Sequence, residues 1–238
     1  MLDLETLTRP VDIYCERTGP GFWAEPWNAL SNLSFIAGGL WGWRTATARG
    51  ERSAAVWTLI WLAFAIGVGS FLFHTFAQVW AVFADTIPIW AFVALGSGIA
   101  AVRIGGFRPG TVLVAFLVLI GVGAMLSASG GSSAETHEPP PLNGSLQYAP
   151  AVLALAVFAV LGYACRHPLR HWVAAALVTF LLSLTARTFD MAVCESLPTG
   201  LHWIWHLMNG LLIGLVLQIV IRAGDPVRPG LAAGRARA

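Results

Sequence analysis

The chain has 238 residues, 57% of them hydrophobic and only 11% charged, with a formal net charge of +2 and a mean hydropathy of +0.70. Soluble globular domains of this size are not so apolar, so that class is excluded and a polytopic membrane protein remains. No nucleic-acid partner is expected.

The first 25 residues are too polar to be a signal peptide, so residues 1–28 read as a cap outside the membrane. This stretch carries Asp3, Glu5, Asp12, Glu16 and Glu25. Apolar stretches follow at roughly 29–47, 54–74, 77–102, 111–129, 146–165, 171–193 and 201–222, each near the ~20 residues that cross a bilayer. The predicted fold is therefore an all-α membrane protein, a bundle of seven transmembrane helices over 29–222. A polar loop at 130–144, with Pro139, Pro140 and Pro141, and an Arg/Ala/Gly tail at 223–238 read as flexible and without chemistry.

Orientation follows from arginine, because the chain has 14 arginines and no lysine. Arg44, Arg49 and Arg52, then Arg103 and Arg108, then Arg166 and Arg170, then Arg222, Arg228, Arg235 and Arg237 all fall on one side of the bundle. The other side holds the acidic cap, Glu135 and Glu138, and Glu195. The positive-inside rule puts the amino terminus outside and the carboxyl terminus in the cytoplasm. Composition and compact loops suit a bacterial inner membrane with the histidine side toward the periplasm; the alternative is an endoplasmic reticulum protein with that side in the lumen. Cys15 and Cys194 then share the external side, where a disulfide between them is permitted, whereas Cys165 falls on the reducing side.

Three histidines close this external side. His74 ends the second apolar stretch, and His202 and His206 begin the seventh, four residues apart and so on one helical face. Three imidazoles from two spans at one depth are the donor set of a catalytic zinc site with an open position, in which the ion lowers the pKa of its water toward ~7. His137, His167 and His171 read as surface residues. Asp85 lies within the third span, where an ionisable group is costly and by default functional. It is expected to be the general base that takes a proton from water and returns it to a leaving amine, or else to orient a histidine. Ser70, one helical turn before His74, is expected to donate to the oxyanion of a tetrahedral intermediate; the alternative is a packing serine bonded to its own backbone. Arg187 and Asp190, three residues apart, read as a helix ion pair. In the cap, Asp12, Glu16 and Glu25 offer hard oxygens that suit calcium, or else form a solvated acidic surface.

Taken together, Tyr14-Cys15-Glu16, Ala24-Glu25-Pro26-Trp27-Asn28, Ser31-Asn32, Ser70 with His74, Asp85 eleven residues on, and His202 with His206 resemble the alkaline ceramidases, seven-span hydrolases of the superfamily that contains the adiponectin receptors. The resemblance implies a zinc site of His74, His202 and His206, with Asp85 and Ser70 beside it, that cleaves ceramide into a fatty acid and a sphingoid base. It also implies a Cys15–Cys194 disulfide and calcium bound by the amino-terminal segment. The calcium motif matches only in part: Ile13 stands where the family has an acidic residue, Thr18 where it has asparagine, and the stretch to Glu25 is two residues shorter.

The expected activity is thus hydrolysis of a membrane lipid amide that enters laterally from the bilayer, ceramide or a non-sphingoid amide such as an N-acylated amino lipid. Two other classes compete: a receptor or sensor with structural zinc, and a metal or haem transporter. The inner halves of the spans lack the ionisable chain a transporter requires. A retinal protein is excluded, because without lysine no Schiff base forms.

Overall fold

The computed structural model describes residues 3–129 and 141–224. Among them the chain is helical with no strand: α1 (Leu4–Thr8), α2 (Pro26–Ser31), α3 (Leu33–Ala48), α4 (Ala54–Phe76), α5 (Val79–Arg103), α6 (Pro109–Ser129), α7 (Ala149–Ala164), α8 (Arg170–Phe189) and α9 (His202–Arg222). A 3-10 stretch, Pro141–Tyr148, leads into α7. Glu135, His137 and Glu138 of the expected loop, and Arg228, Arg235 and Arg237 of the tail, lie outside the described residues.

Five segments are long and apolar enough to cross a membrane: Ala54–Phe76, Val79–Arg103, Leu142–Ala164, Arg170–Phe189 and His202–Arg222. The first apolar stretch is instead divided at Asn32 between the 6 residues of α2 and the 16 of α3. Gly50, at φ +64°, stops α3. The Gly50 amide donates to Thr47 O (3.1 Å) and the Glu51 amide to Ala46 O (3.0 Å), the paired bonds of a glycine-terminated helix.

Helix α9 is the axis of the bundle. It meets α3 along glycine: a Cβ added at Gly38 would lie 2.5 Å from Gly210 O, and one added at Gly210 would lie 2.4 Å from Ser34 Oγ. Small residues let the two backbones approach as they do in membrane bundles. Around α9, the apolar core takes Val56, Leu59 and Ile60 from α4, Phe92 and Ile99 from α5, and Ile213, Leu217 and Val220 from α9 itself. Leu113, Leu117 and Ile120 of α6, and Leu153 and Val160 of α7, remain exposed, an outward apolar face that suits lipid and not water.

The amino-terminal segment folds back over one end of the bundle. The Val11 amide donates to Ala77 O (2.8 Å) and the Val79 amide to Arg9 O (3.2 Å), so residues 9–11 are pinned to the α4–α5 turn. Cys15 and Cys194 are joined in a disulfide, with 5.5 Å between their Cα atoms. Cys165 is free and exposed.

Candidate metal centre

The carboxyl end of α4 and the amino end of α9 lie side by side, and α2 sits across them. His74 occupies the last turn of α4, while His202 and His206 occupy the first two turns of α9. The three rings converge: their centroids are 5.2 Å apart for His74–His202, 4.7 Å for His74–His206 and 4.5 Å for His202–His206. All three are buried, and one nitrogen from each lies within 4.8 Å of the others. Bonds of about 2.0–2.1 Å to a tetrahedral ion would draw these nitrogens to ~3.4 Å of one another, a contraction within the reach of side-chain torsions.

The hydrogen bonds assign the rings. His74 Nδ1 donates to Glu25 Oε2 (2.6 Å). His206 Nδ1 donates to Asn28 O (3.1 Å), a group that can only accept, and lies 2.8 Å from Ser31 Oγ, whose own hydrogen goes to Asn28 O. With Nδ1 protonated in both, Nε2 keeps its lone pair for a ligand, which is how carboxylates and carbonyls prepare metal-binding histidines. His74 Nε2 and His202 Nδ1 are buried without a partner. The donors present therefore fit a metal of the zinc class: three buried imidazoles, with His74 and His206 held at Nδ1 from behind and His74 and His202 each keeping an unpartnered nitrogen.

Asp190 sets the position of α9. It is fully buried, and its Oδ1 accepts the amides of Leu201 (2.7 Å) and His202 (2.9 Å), while Oδ2 accepts the Cys15 amide (3.3 Å). The carboxylate that follows α8 thus caps the helix that carries two of the histidines. Gly200, at φ +58°, passes so close to Asp190 Oδ1 that a Cβ would lie 2.2 Å from it. The expected Arg187–Asp190 ion pair is not formed, because Asp190 is committed to these amides. Arg187 points instead into an aromatic pocket, over the rings of Tyr148 (5.8 Å) and Trp205 (5.3 Å), and donates to Tyr14 Oη (3.4 Å).

Asp85 and Ser70 are brought together by a backbone approach. Pro88 has no amide hydrogen, so Ala84 O, four residues earlier, lacks its helical donor. Gly69 of α4 packs on that carbonyl so closely that a Cβ would lie 2.0 Å from it. The contact sets Ser70 beside the Asp85 carboxyl. Asp85 Oδ1 is buried without a partner. Among the described residues Ser70 makes no backbone hydrogen bond, and the Nδ1 atoms of His74 and His206 are held by Glu25, Asn28 and Ser31 rather than by Asp85.

The acidic cap divides. Asp12 is exposed and, among the described residues, makes no side-chain hydrogen bond. Glu16 and Glu25 are buried and turned inward. Glu16 Oε1 and Oε2 accept the amides of Trp27 and Asn28, each at 2.8 Å, so Glu16 caps α2; burial pushes its carboxyl above the usual glutamate range against the pull of those two amides. Glu25 accepts from Arg17, from Asn28 Nδ2 (3.0 Å) and from His74. Burial acts to raise the Glu25 carboxyl, but its bonds to His74, Asn28 and Arg17 outweigh it and hold the group below that range. Tyr14 stacks on His202 at 3.7 Å, and burial pushes its phenol up to about 12, so it stays neutral.

Sequence reasoning missed Glu25 as the partner of His74, Asn28 and Ser31 as those of His206, Tyr14 as a stacking ring and Asp190 as the cap of α9. A faint signal existed, since Tyr14, Glu25, Asn28 and Ser31 all belong to the motif that carries the family resemblance.

Beyond the histidines an apolar cavity runs into the bundle, lined by Phe35, Ile66, Phe92, Tyr148, Trp205 and Leu212 among others. Two of these walls reach the rings: Phe35 is 6.0 Å from His206 and Trp205 is 6.4 Å from His202, centroid to centroid. The family model described as Ceramidase matches residues 14–225 of the chain. No curated protein matches it, and no solved structure does.

Proposed function

The chain belongs to the Ceramidase family, and from that premise we propose that it is a zinc-dependent hydrolase of a lipid amide, ceramide before others, with His74, His202 and His206 as the metal ligands. Family membership by itself suggests a hydrolase acting on the ceramide amide and a lipid substrate at a membrane. What supports the finer reading is the meeting of three buried imidazoles, two of which, His74 and His202, keep a buried nitrogen without a partner. Zinc, when bound, supplies Lewis-acid polarisation of the amide and a water more acidic than in bulk.

The chain's own groups supply the rest. Asp85 Oδ1, buried and without a partner in the chain, takes the proton of the attacking water and passes it to the departing amine. Ser70 Oγ donates to the oxyanion that develops on the amide carbonyl. The apolar cavity behind the rings receives an acyl chain and keeps bulk water from the scissile bond. Tyr14 holds the plane of His202 from outside.

Seven spans, α3 to α9, complete this reading, with the amino-terminal cap external and the arginine-rich end in the cytoplasm. For a bacterial inner membrane that sets the site on the periplasmic side. Purified protein incubated with ceramide and with an N-acylated amino lipid tests the proposal by metal analysis and mass spectrometry. The expected outcome is about one zinc per chain and release of fatty acid. Zinc without turnover on any lipid amide would favour a receptor with a structural metal.

A further inference from the structure

The position in the cap where a divalent cation was expected already has a cation. Arg17 is 8% exposed and directs its guanidinium to three groups: Nε to Glu25 Oε1, one terminal nitrogen to Gly19 O (3.0 Å) and the other to His74 O (3.0 Å). These acceptors, a carboxylate and two carbonyls, are hard oxygens of the kind calcium gathers six to eight of at about 2.3–2.6 Å. The remaining oxygens of the two buried glutamates are also taken, Glu25 Oε2 by His74 and Asn28, and both oxygens of Glu16 by the amides of α2, which leaves of the expected ligands only the solvent-exposed Asp12. The residues present do not fit a calcium ion.

We infer that Arg17 is the built-in cation of this cap, and that through Glu25 it positions the zinc ligand His74, so that the protein needs no calcium. The planar fork of the guanidinium suits this role, since it fixes one oxygen of Glu25 and leaves the other aimed at His74 Nδ1. Its bond to His74 O adds a positive charge to the last turn of α4, where the helix dipole favours one. Arg17 therefore holds His74 from both the side chain and the backbone. The metal readout below rests on the zinc reading above; the calcium readout does not.

The test uses the full chain in detergent, with zinc affinity measured against a competing chelator and calcium binding by calorimetry. Wild-type protein is expected to give a flat calcium isotherm to about 1 mM, the weak end of protein calcium sites, and the same activity with or without added calcium. Arg17→Ala should weaken zinc by ~10–100-fold, the scale on which outer-shell partners act, with recovery on adding methylguanidinium. Arg17→Lys keeps the charge but not the fork and should lose less. Unchanged zinc affinity in both variants overturns the positioning role. Saturable calcium binding by the wild type overturns the built-in cation. If Arg17→Ala does not fold, Arg17→Lys and the wild-type calcium isotherm decide. If the wild type holds no zinc, the hydrolase reading fails, and the isotherm still judges the cation.

Discussion

The two ends of the bundle are built from similar polar residues and treat them in opposite ways. At the arginine end, among the described residues, each buried side-chain polar group finds its partner within the chain. Glu51 receives both terminal nitrogens of Arg103 (2.7 and 3.1 Å) and the amides of Arg52 and Ser53, Arg103 also reaches Val220 O (2.9 Å), and Gln218 bridges Thr45 and Arg222. At the histidine end, His74 Nε2, His202 Nδ1, Asp85 Oδ1, Arg187 Nε, Asn28 Oδ1 and Asn32 Oδ1 are buried without a partner, and among the described residues these are all such atoms. A buried group left without any partner costs about 1–3 kcal/mol, so these six call for partners other than the chain's own atoms, an ion, water or substrate. The arginine end is fastened for stability, and the histidine end is held open for something the chain itself does not provide.

Removing a histidine is the most direct way to break that contrast. His206→Ala is expected to abolish stoichiometric zinc and to lower amide hydrolysis by at least about 10³-fold, the scale of the several kcal/mol that a bound metal supplies to a transition state. Metal analysis beside product release checks both halves. Asp85→Asn sharpens it: the proton acceptor is lost but no histidine partner is, so turnover should fall by ~10²–10⁴-fold with zinc retained. Loss of zinc from Asp85→Asn would place the carboxylate among the ligands and refute its role as base.

A third substitution acts on the frame. Asp190→Ala leaves the amides of Cys15, Leu201 and His202 without an acceptor and should cost about 2 kcal/mol in stability, with weaker metal binding because the first turn of α9 frays. Asp190→Asn, which keeps one acceptor oxygen, should recover most of it, as thermal unfolding in detergent would show.

Asp190 also marks where the sequence stops being legible. The apolar stretches are local signals, and all but the first, which is divided at Asn32, are single helices with ends a few residues from those expected. The convergence of His74, His202 and His206 was legible too, because span ends fix depth and four-residue spacing fixes a face. The pairings were not. Arg187 and Asp190 stand at the spacing of a helix pair, yet Asp190 is bound by amides that lie 11, 12 and 175 residues away. Glu16 and Glu25 carry the composition of a calcium loop, but Arg17, between them in the chain, points back into it. The partner of a buried charge is decided by tertiary packing, which periodicity does not record. The division at Asn32 is of the same kind, since an apolar run announces a helix but not the break at Asn32 that splits it into α2 and α3.

The smallest expected effect lies at the arginine end, and its sign with pH separates that end from the other. The bonds from Arg103, then the Ser53 and Arg52 amides, hold the Glu51 carboxyl below the ordinary glutamate range. A carboxyl depressed in the folded state binds protons more readily when unfolded, so its stabilisation is present above the unfolded value and is lost as pH falls through the lower folded one. The pair is partly buried, but glutamine keeps an acceptor oxygen for Arg103, so Glu51→Gln should cost about 1 kcal/mol at neutral pH and almost nothing in acid. Zinc content and turnover at neutral pH should not change, since none of the Glu51 partners touches a histidine ring. A change in either with Glu51→Gln would show that the two ends are coupled through α9, and the division between a fastened end and an open one would no longer describe the protein.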